Sequence, residues 1–168
     1  ADSTVGSAGK IEITAKSINE NKQSGSVTAV ALQQGLGGDI KLLGDKVGLL
    51  GKAKIDVSGA NGGGQALIGG DQQGQNNQIQ NAEFVYVDEN SQIHADGLVN
   101  GNGGTAIFFA QDTTRIFGKI SSMGGESGGY GGFVETSGLQ GFEISEAPRV
   151  AAKLGNSGTW LIDPYNIS

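Results

Sequence analysis

Short segments in which apolar and polar residues alternate recur along this chain, and each of them follows a glycine. Six such anchor glycines divide the sequence into four intervals of 26 to 29 residues and one interval of 40. They are Gly9, Gly38, Gly64, Gly104, Gly132 and Gly158. Strand-like segments that repeat at a period in the twenties are typical of a solenoid, in which each repeat forms one coil.

Two further strand-like segments follow within most repeats, for example residues 47–50 and 55–59 in the second one. Three short strands per coil predict an all-β protein, a parallel β-helix of about six coils. One column of side chains should then stack inside the core, and it consists of Ile11, Ile40, Ala66, Ala106, Val134 and Trp160. The alternation is least clear at residues 67–68 and 107–109, where apolar residues are consecutive.

The long interval has a local cause in a polar stretch rich in Gly, Gln and Asn. We interpret residues 69–81 as a loop insertion in a single β-helical segment that covers residues 1–168. A tolerated insertion is the commoner meaning of such a loop, and a recognition loop is the functional alternative. The alternative fold, a β-sandwich, requires antiparallel hairpins with tight two-residue turns, which the glycine-rich turns here do not favour.

The amino-acid composition of the chain excludes some kinds of partner and site. The chain has 31 Gly and only 2 Pro, so we expect its turns to depend on the access of glycine to positive φ. Asn61, Asn102 and Asn156 stand at turns and are expected to tolerate the left-handed conformation there. The net charge of −6 disfavours nucleic acid as a partner, and the absence of cysteine excludes disulfides and thiolate metal sites.

Candidate catalytic residues are few. Asp88, Glu89, Asp96 and Asp112, with Arg115, are the carboxylates and the base that a β-helical polysaccharide lyase or hydrolase would need in one cleft. Solvated positions beside turns explain them more simply. The single histidine, His94, has no partners at metal-ligand spacing, and Trp160 and Phe108 occupy inward positions that suit core filling better than sugar stacking. We therefore predict no catalytic, cofactor-binding or metal-binding residues.

Two segments carry a family resemblance: residues 131–138 (GGFVETSG) and residues 158–167, which contain WLIDP. They resemble motifs of the filamentous-haemagglutinin-like exoproteins, the large adhesins of bacterial two-partner secretion. The resemblance implies a right-handed parallel β-helix that is secreted through an outer-membrane transporter. The NPN-type motifs of the family's secretion domain are not visible here, so the resemblance implies the shaft after that domain and a transporter contact outside this chain.

The resemblance further implies a non-enzymatic, secreted or surface-exposed segment that acts as a rigid shaft in cell adhesion or filament assembly. Its partners would be a receptor or glycan on a host or neighbouring cell. The stalk of a contact-dependent toxin is one alternative, and a carbohydrate-active enzyme is another. Neither flank of the sequence resembles a helix or a charged cap, which predicts an internal piece of a longer exoprotein or a subunit that associates end to end.

Overall fold

The computed structural model describes residues 2–3, 6–14, 20–23 and 25–163. They form fourteen strands and one 3₁₀ turn, Gln72–Gly74. The strands are β1 Lys10–Thr14, β2 Glu20–Gln23, β3 Ser26–Thr28, β4 Asp39–Leu43, β5 Lys46–Leu49, β6 Lys54–Asp56, β7 Gln65–Ile68, β8 Ala82–Val87, β9 Gln92–His94, β10 Thr105–Ile116, β11 Lys119–Ser121, β12 Phe133–Gly138, β13 Gly141–Ile144 and β14 Thr159–Leu161. These residues contain no helix with the length and apolar character of a membrane span.

The strands stack in parallel on three faces. The first face holds β1, β4, β7, the start of β10, β12 and β14, and the second holds β2, β5, β8, the end of β10 and β13. The third face holds β3, β6, β9 and β11. Strand β10 bends between Ala110 and Thr113, where its pairing shifts, and thereby joins the first two faces into one sheet. The predicted parallel β-helix is confirmed, with about five complete turns between the six strands of the first face.

One column of inward residues runs through the first face. Ile40 pairs in register with Ile11 on one side and Ala66 on the other, and the column continues through Ala106 and Val134 to Trp160. Its four middle members are fully buried, whereas Ile11 and Trp160 at the two ends are partly buried and pack against the same core. Burial of a large apolar side chain stabilises the fold by about 1.5–3 kcal/mol.

The anchor glycines are required by close approach between coils. A Cβ on Gly104 would overlap the carbonyl oxygen of Gly64, and a Cβ on Gly64 would overlap that of Gly38. None of the anchor glycines has a positive φ, so the expectation that positive φ explains the glycine-rich turns is wrong for this column. The described glycines that do have positive φ stand at other turn positions, such as Gly35 and Gly62.

The turn asparagines also act differently from the prediction. Gln73 is the only non-glycine residue with positive φ among the described residues, so Asn61, Asn102 and Asn156 are not left-handed. The Oδ1 atom of Asn61 accepts a hydrogen bond of 2.7 Å from the Gly35 N–H. The Oδ1 atom of Asn102 accepts one of 2.9 Å from the Tyr130 N–H. Asn61 and Asn102 therefore connect one coil to the next through their side chains.

Candidate functional site

Two apolar layers explain the consecutive hydrophobic residues at 67–68 and 107–109. Ile68 and Phe108 point into the core of the β-helix, and Leu67, Ile107 and Phe109 form a second buried cluster on the outer side of the same sheet. We call these three residues the outer strip. Residues 69–81 connect β7 to β8 and lie over this strip.

Glycine allows the segment to lie close to Phe109. A Cβ added to Gly74 would overlap the Phe109 ring, and a Cβ on Gly70 would be 3.0 Å from a carbon of the same ring. Gly74 also has a φ of +63°, which glycine adopts without strain. As a result Phe109 is only 2% exposed although it lies outside the β-helix core.

A buried carboxyl group holds the segment at its tip. Glu135 stands next to Ile107 in the parallel register and is completely buried. Its two carboxyl oxygens accept hydrogen bonds of 3.0 and 3.2 Å from the backbone N–H of Gln73. Burial raises the pKa of Glu135, and the nearby charges of Asp163 and Asp71 raise it further, against the hydrogen bonds from Ser137 and Gln73.

The two resemblance motifs meet at this place. The Nε2 amide of Gln73 donates a hydrogen bond of 2.6 Å to Asp163, and the Asp163 N–H donates one of 3.2 Å to Ser137. Nearby, the Trp160 indole N–H donates a hydrogen bond of 2.8 Å to the Thr136 hydroxyl. Residues 135–137 of the first motif therefore bind residues 160–163 of the second, while residues 164–167 lie outside the described residues.

The segment also fixes its own shape. The Asp71 carboxylate accepts hydrogen bonds of 2.7 Å from the Gln72 N–H and 2.8 Å from the Asn76 amide. The Asn81 amide donates one of 2.9 Å to the Gly74 carbonyl. We call residues 69–81, seated on the outer strip and bonded to Glu135 and Asp163, the loop contact. Its hydrogen bonds join residues of different coils, which is a structural role.

A second polar cluster lies on the third face. The Ser121 hydroxyl donates to Asp96 at 2.8 Å, and the Nδ1 atom of His94 is 2.8 Å from the same hydroxyl oxygen and 3.6 Å from Asp96. Burial raises the pKa of Asp96, but hydrogen bonds from His94, the Met123 N–H and Ser121 together hold it below its usual value. These partners of His94 could not be predicted from the sequence, because Ser121 lies 27 residues away.

This cluster does not have the geometry of a hydrolase triad. In such a triad one ring nitrogen of histidine faces the nucleophile and the other faces the carboxylate. Here Nδ1 faces both Ser121 and Asp96, and Nε2 faces the Gln92 side chain at 3.3 Å. The Ser121 hydroxyl donates to Asp96, whereas in a triad the carboxylate contacts only the histidine.

The remaining catalytic candidates have other neighbours. Asp88 accepts a hydrogen bond of 2.9 Å from the Gly51 N–H, and Asp112 accepts one of 2.8 Å from Thr113. Arg115 lies on the outer surface of the second face, 3.5 Å from Glu143. The structure brings Asp96 together with His94, places Asp88 and Arg115 next to Tyr86, and gives Asp112 a separate contact with Thr113. Among the described residues no group of three or more acidic or histidine side chains would hold a metal ion.

Comparison with known proteins gives a similarity to a solved structure. No protein-family profile and no curated protein matches this sequence. Among solved structures, the crystal structure of the HMW1 secretion domain from Haemophilus influenzae is similar, with a TM-score of 0.75 and 36% sequence identity. The match covers 93% of this chain and 39% of the solved chain, so this chain spans about two fifths of the length of the structure it matches.

Proposed function

We propose that this chain is a non-enzymatic β-helical part of the secretion domain of an exported bacterial exoprotein. The observation that carries the proposal is the similarity to the HMW1 secretion domain at 36% identity over 93% of this chain. Identity at this level over nearly the whole segment supports a shared role as well as a shared fold. The proposed role is to provide a rigid folded body outside the cell.

The proposal refines what the sequence motifs imply. The resemblance of residues 131–138 and 158–167 implies a shaft that follows the secretion domain, with its transporter contact elsewhere. The similarity to a solved secretion domain favours a position within that domain instead. The proposed partner is therefore an outer-membrane transporter, and the proposed location is outside the cell or on its surface.

A structural role also agrees with the geometry of the titratable groups. Glu135 is used to bind the N–H of Gln73, and Asp96 is used to bind His94 and Ser121. A general acid or base must face a substrate rather than its own backbone. We propose adhesion to a receptor, filament assembly or display of a toxin only as alternative roles of a longer exoprotein that contains this segment.

The experiment that tests this proposal separates a secretion domain from a shaft. The complete exoprotein is produced in a bacterium together with its transporter, and exported protein is compared with protein retained in the periplasm. We expect deletion of residues 25–163 to abolish export, because the folded secretion domain is lost. The control is a deletion of equal length downstream of the secretion domain, which should leave export intact. Normal export of the 25–163 deletion would contradict the proposal and return this segment to the shaft.

A further inference from the structure

Two exposed aromatic side chains project from the outer surface of the second face, and the half-buried Phe117, which follows β10, lies beside them. Phe84 and Tyr86 occupy alternate positions of β8 and are 40% and 38% exposed. The ring centroids of Tyr86 and Phe117 are 5.8 Å apart, with a tilt of 59° between the rings. We call these three residues the aromatic patch. Exposed aromatic residues grouped on one surface indicate a binding site more strongly than isolated ones do.

The patch borders a small hollow. The hollow has a volume of about 260 Å³ and is lined by Phe84, Val85, Tyr86, Thr113 and Arg115. On the side away from Arg115, the residue next to Tyr86 in the parallel register is Gly48, which has no side chain to cover the tyrosine ring. Ligand pockets usually begin at about 300 Å³, so this hollow suits a ligand of one or two rings.

Arg115 is the only charged residue that lines the hollow, and further charged residues lie beside the lining residues. The bases are Lys46, which pairs with Phe84, and Arg115, which pairs with Tyr86. The acids are Glu143, at 3.5 Å from Arg115, and Asp88 and Glu89, which directly follow β8. These three carboxylates and two cationic side chains carry a net negative charge, which disfavours an anionic ligand. Carboxylate and guanidinium groups together can instead accept from and donate to neutral hydroxyls.

We propose that the aromatic patch binds a neutral hexopyranose oligosaccharide. The C–H groups of one pyranose face carry partial positive charge and would stack on the negative faces of Phe84 and Tyr86. The hydroxyls at the edge of the sugar would bond to Arg115, Glu143 and Asp88.

Binding is tested on the purified full chain by saturation-transfer NMR and calorimetry with lactose, maltotriose and chitotriose, and with 3′-sialyllactose as the anionic comparison. A shallow open site predicts a Kd of about 1 mM for at least one neutral sugar and weaker binding of the sialylated one. Tyr86→Ala should weaken binding about tenfold or more, since it removes one stacking face. Arg115→Gln should weaken it by a smaller factor.

The matched control is Tyr130→Ala, because Tyr130 is 56% exposed and lies outside β8 and β10. It should bind the sugar as the wild type does. Binding is compared only among variants whose melting temperature equals that of the wild type. Failure of every neutral sugar to bind, binding of the sialylated sugar alone, or an equal loss in Tyr86→Ala and Tyr130→Ala would each overturn the proposal. The proposal does not rest on the secretion role, and export of the exoprotein should be normal in Tyr86→Ala.

Discussion

Phe108 and Phe109 are neighbours in β10 that are buried in different layers, and this difference has a measurable consequence. Phe108 is 0% exposed in the β-helix core, and Phe109 is 2% exposed beneath residues 69–81. Replacement of a buried phenylalanine by alanine costs about 3–5 kcal/mol, and the cost depends on how far the surroundings relax. Parallel strands enclose Phe108, whereas a surface segment covers Phe109. We therefore expect about 5 kcal/mol for Phe108→Ala and about 3 kcal/mol for Phe109→Ala.

The two variants should also differ in where the structure opens. Phe109→Ala removes the ring on which the loop contact packs. The Gln73 N–H, which donates to Glu135, should therefore exchange about a hundredfold faster, because 3 kcal/mol corresponds to about that factor. The amides that join β7, β10 and β12 should keep most of their protection. Phe108→Ala should instead accelerate exchange across these strands. The assay is amide hydrogen exchange with residue resolution, together with urea unfolding for the free energies.

Leu154→Ala serves as the control for surface truncation, because Leu154 is 68% exposed. It should change the free energy of unfolding by less than about 0.5 kcal/mol. The reasoning would be refuted by faster exchange of the strand amides in Phe109→Ala to the same extent as the Gln73 N–H. Unchanged protection of the Gln73 N–H in Phe109→Ala would refute it as well.

Two further predictions concern single positions. Burial raises the pKa of Glu135, so the folded state keeps a proton that the unfolded state releases, and this group's contribution to stability falls as pH rises from about 4.5 through the raised pKa. Glu135→Gln should therefore gain stability relative to the wild type across that pH range, as measured by urea titration. The control is Glu143→Gln, at an exposed position, which should not gain stability. Parallel pH profiles of Glu135→Gln and the wild type would contradict this prediction. Gly104→Ala places a Cβ on the Gly64 carbonyl and should lower the free energy of unfolding by about 1–3 kcal/mol in thermal unfolding. The control is Gly25→Ala, which has open space around it and should be neutral or stabilising. Equal melting temperatures of the two variants would contradict the close approach of the coils at Gly104.

The repeating coils of the β-helix were predictable because each coil needs the same residue types at the same positions. An apolar residue two positions after every anchor glycine faces the core, and Ile40, Ala66 and Ala106 do so in one register. The reason for the anchor glycines was not predictable from one sequence. Positive φ and close backbone approach both select glycine, and only the position of the Gly64 carbonyl beside Gly104 distinguishes them.

The site was harder to predict because its contacts join distant coils. Alternation failed at 107–109 since both sides of the sheet are buried there, and no periodic pattern indicates a second layer made by a loop. The partnership of His94 with Ser121 likewise follows from stacking across 27 residues. The polar composition of residues 69–81 indicated a loop, but composition does not show what a loop covers.

Sequence separation also determines when the loop contact can form. Gln73 meets Glu135 and Asp163, which follow it by 62 and 90 residues. In a chain that folds from its amino-terminal end, the Gln73 contacts with Glu135 and Asp163 would therefore form only after β12 and β14 have stacked. Contacts of long sequence separation form late because loop closure must precede them. The loop contact is thus expected to close only on a completed stack of coils, and it then ties the third coil to the last ones.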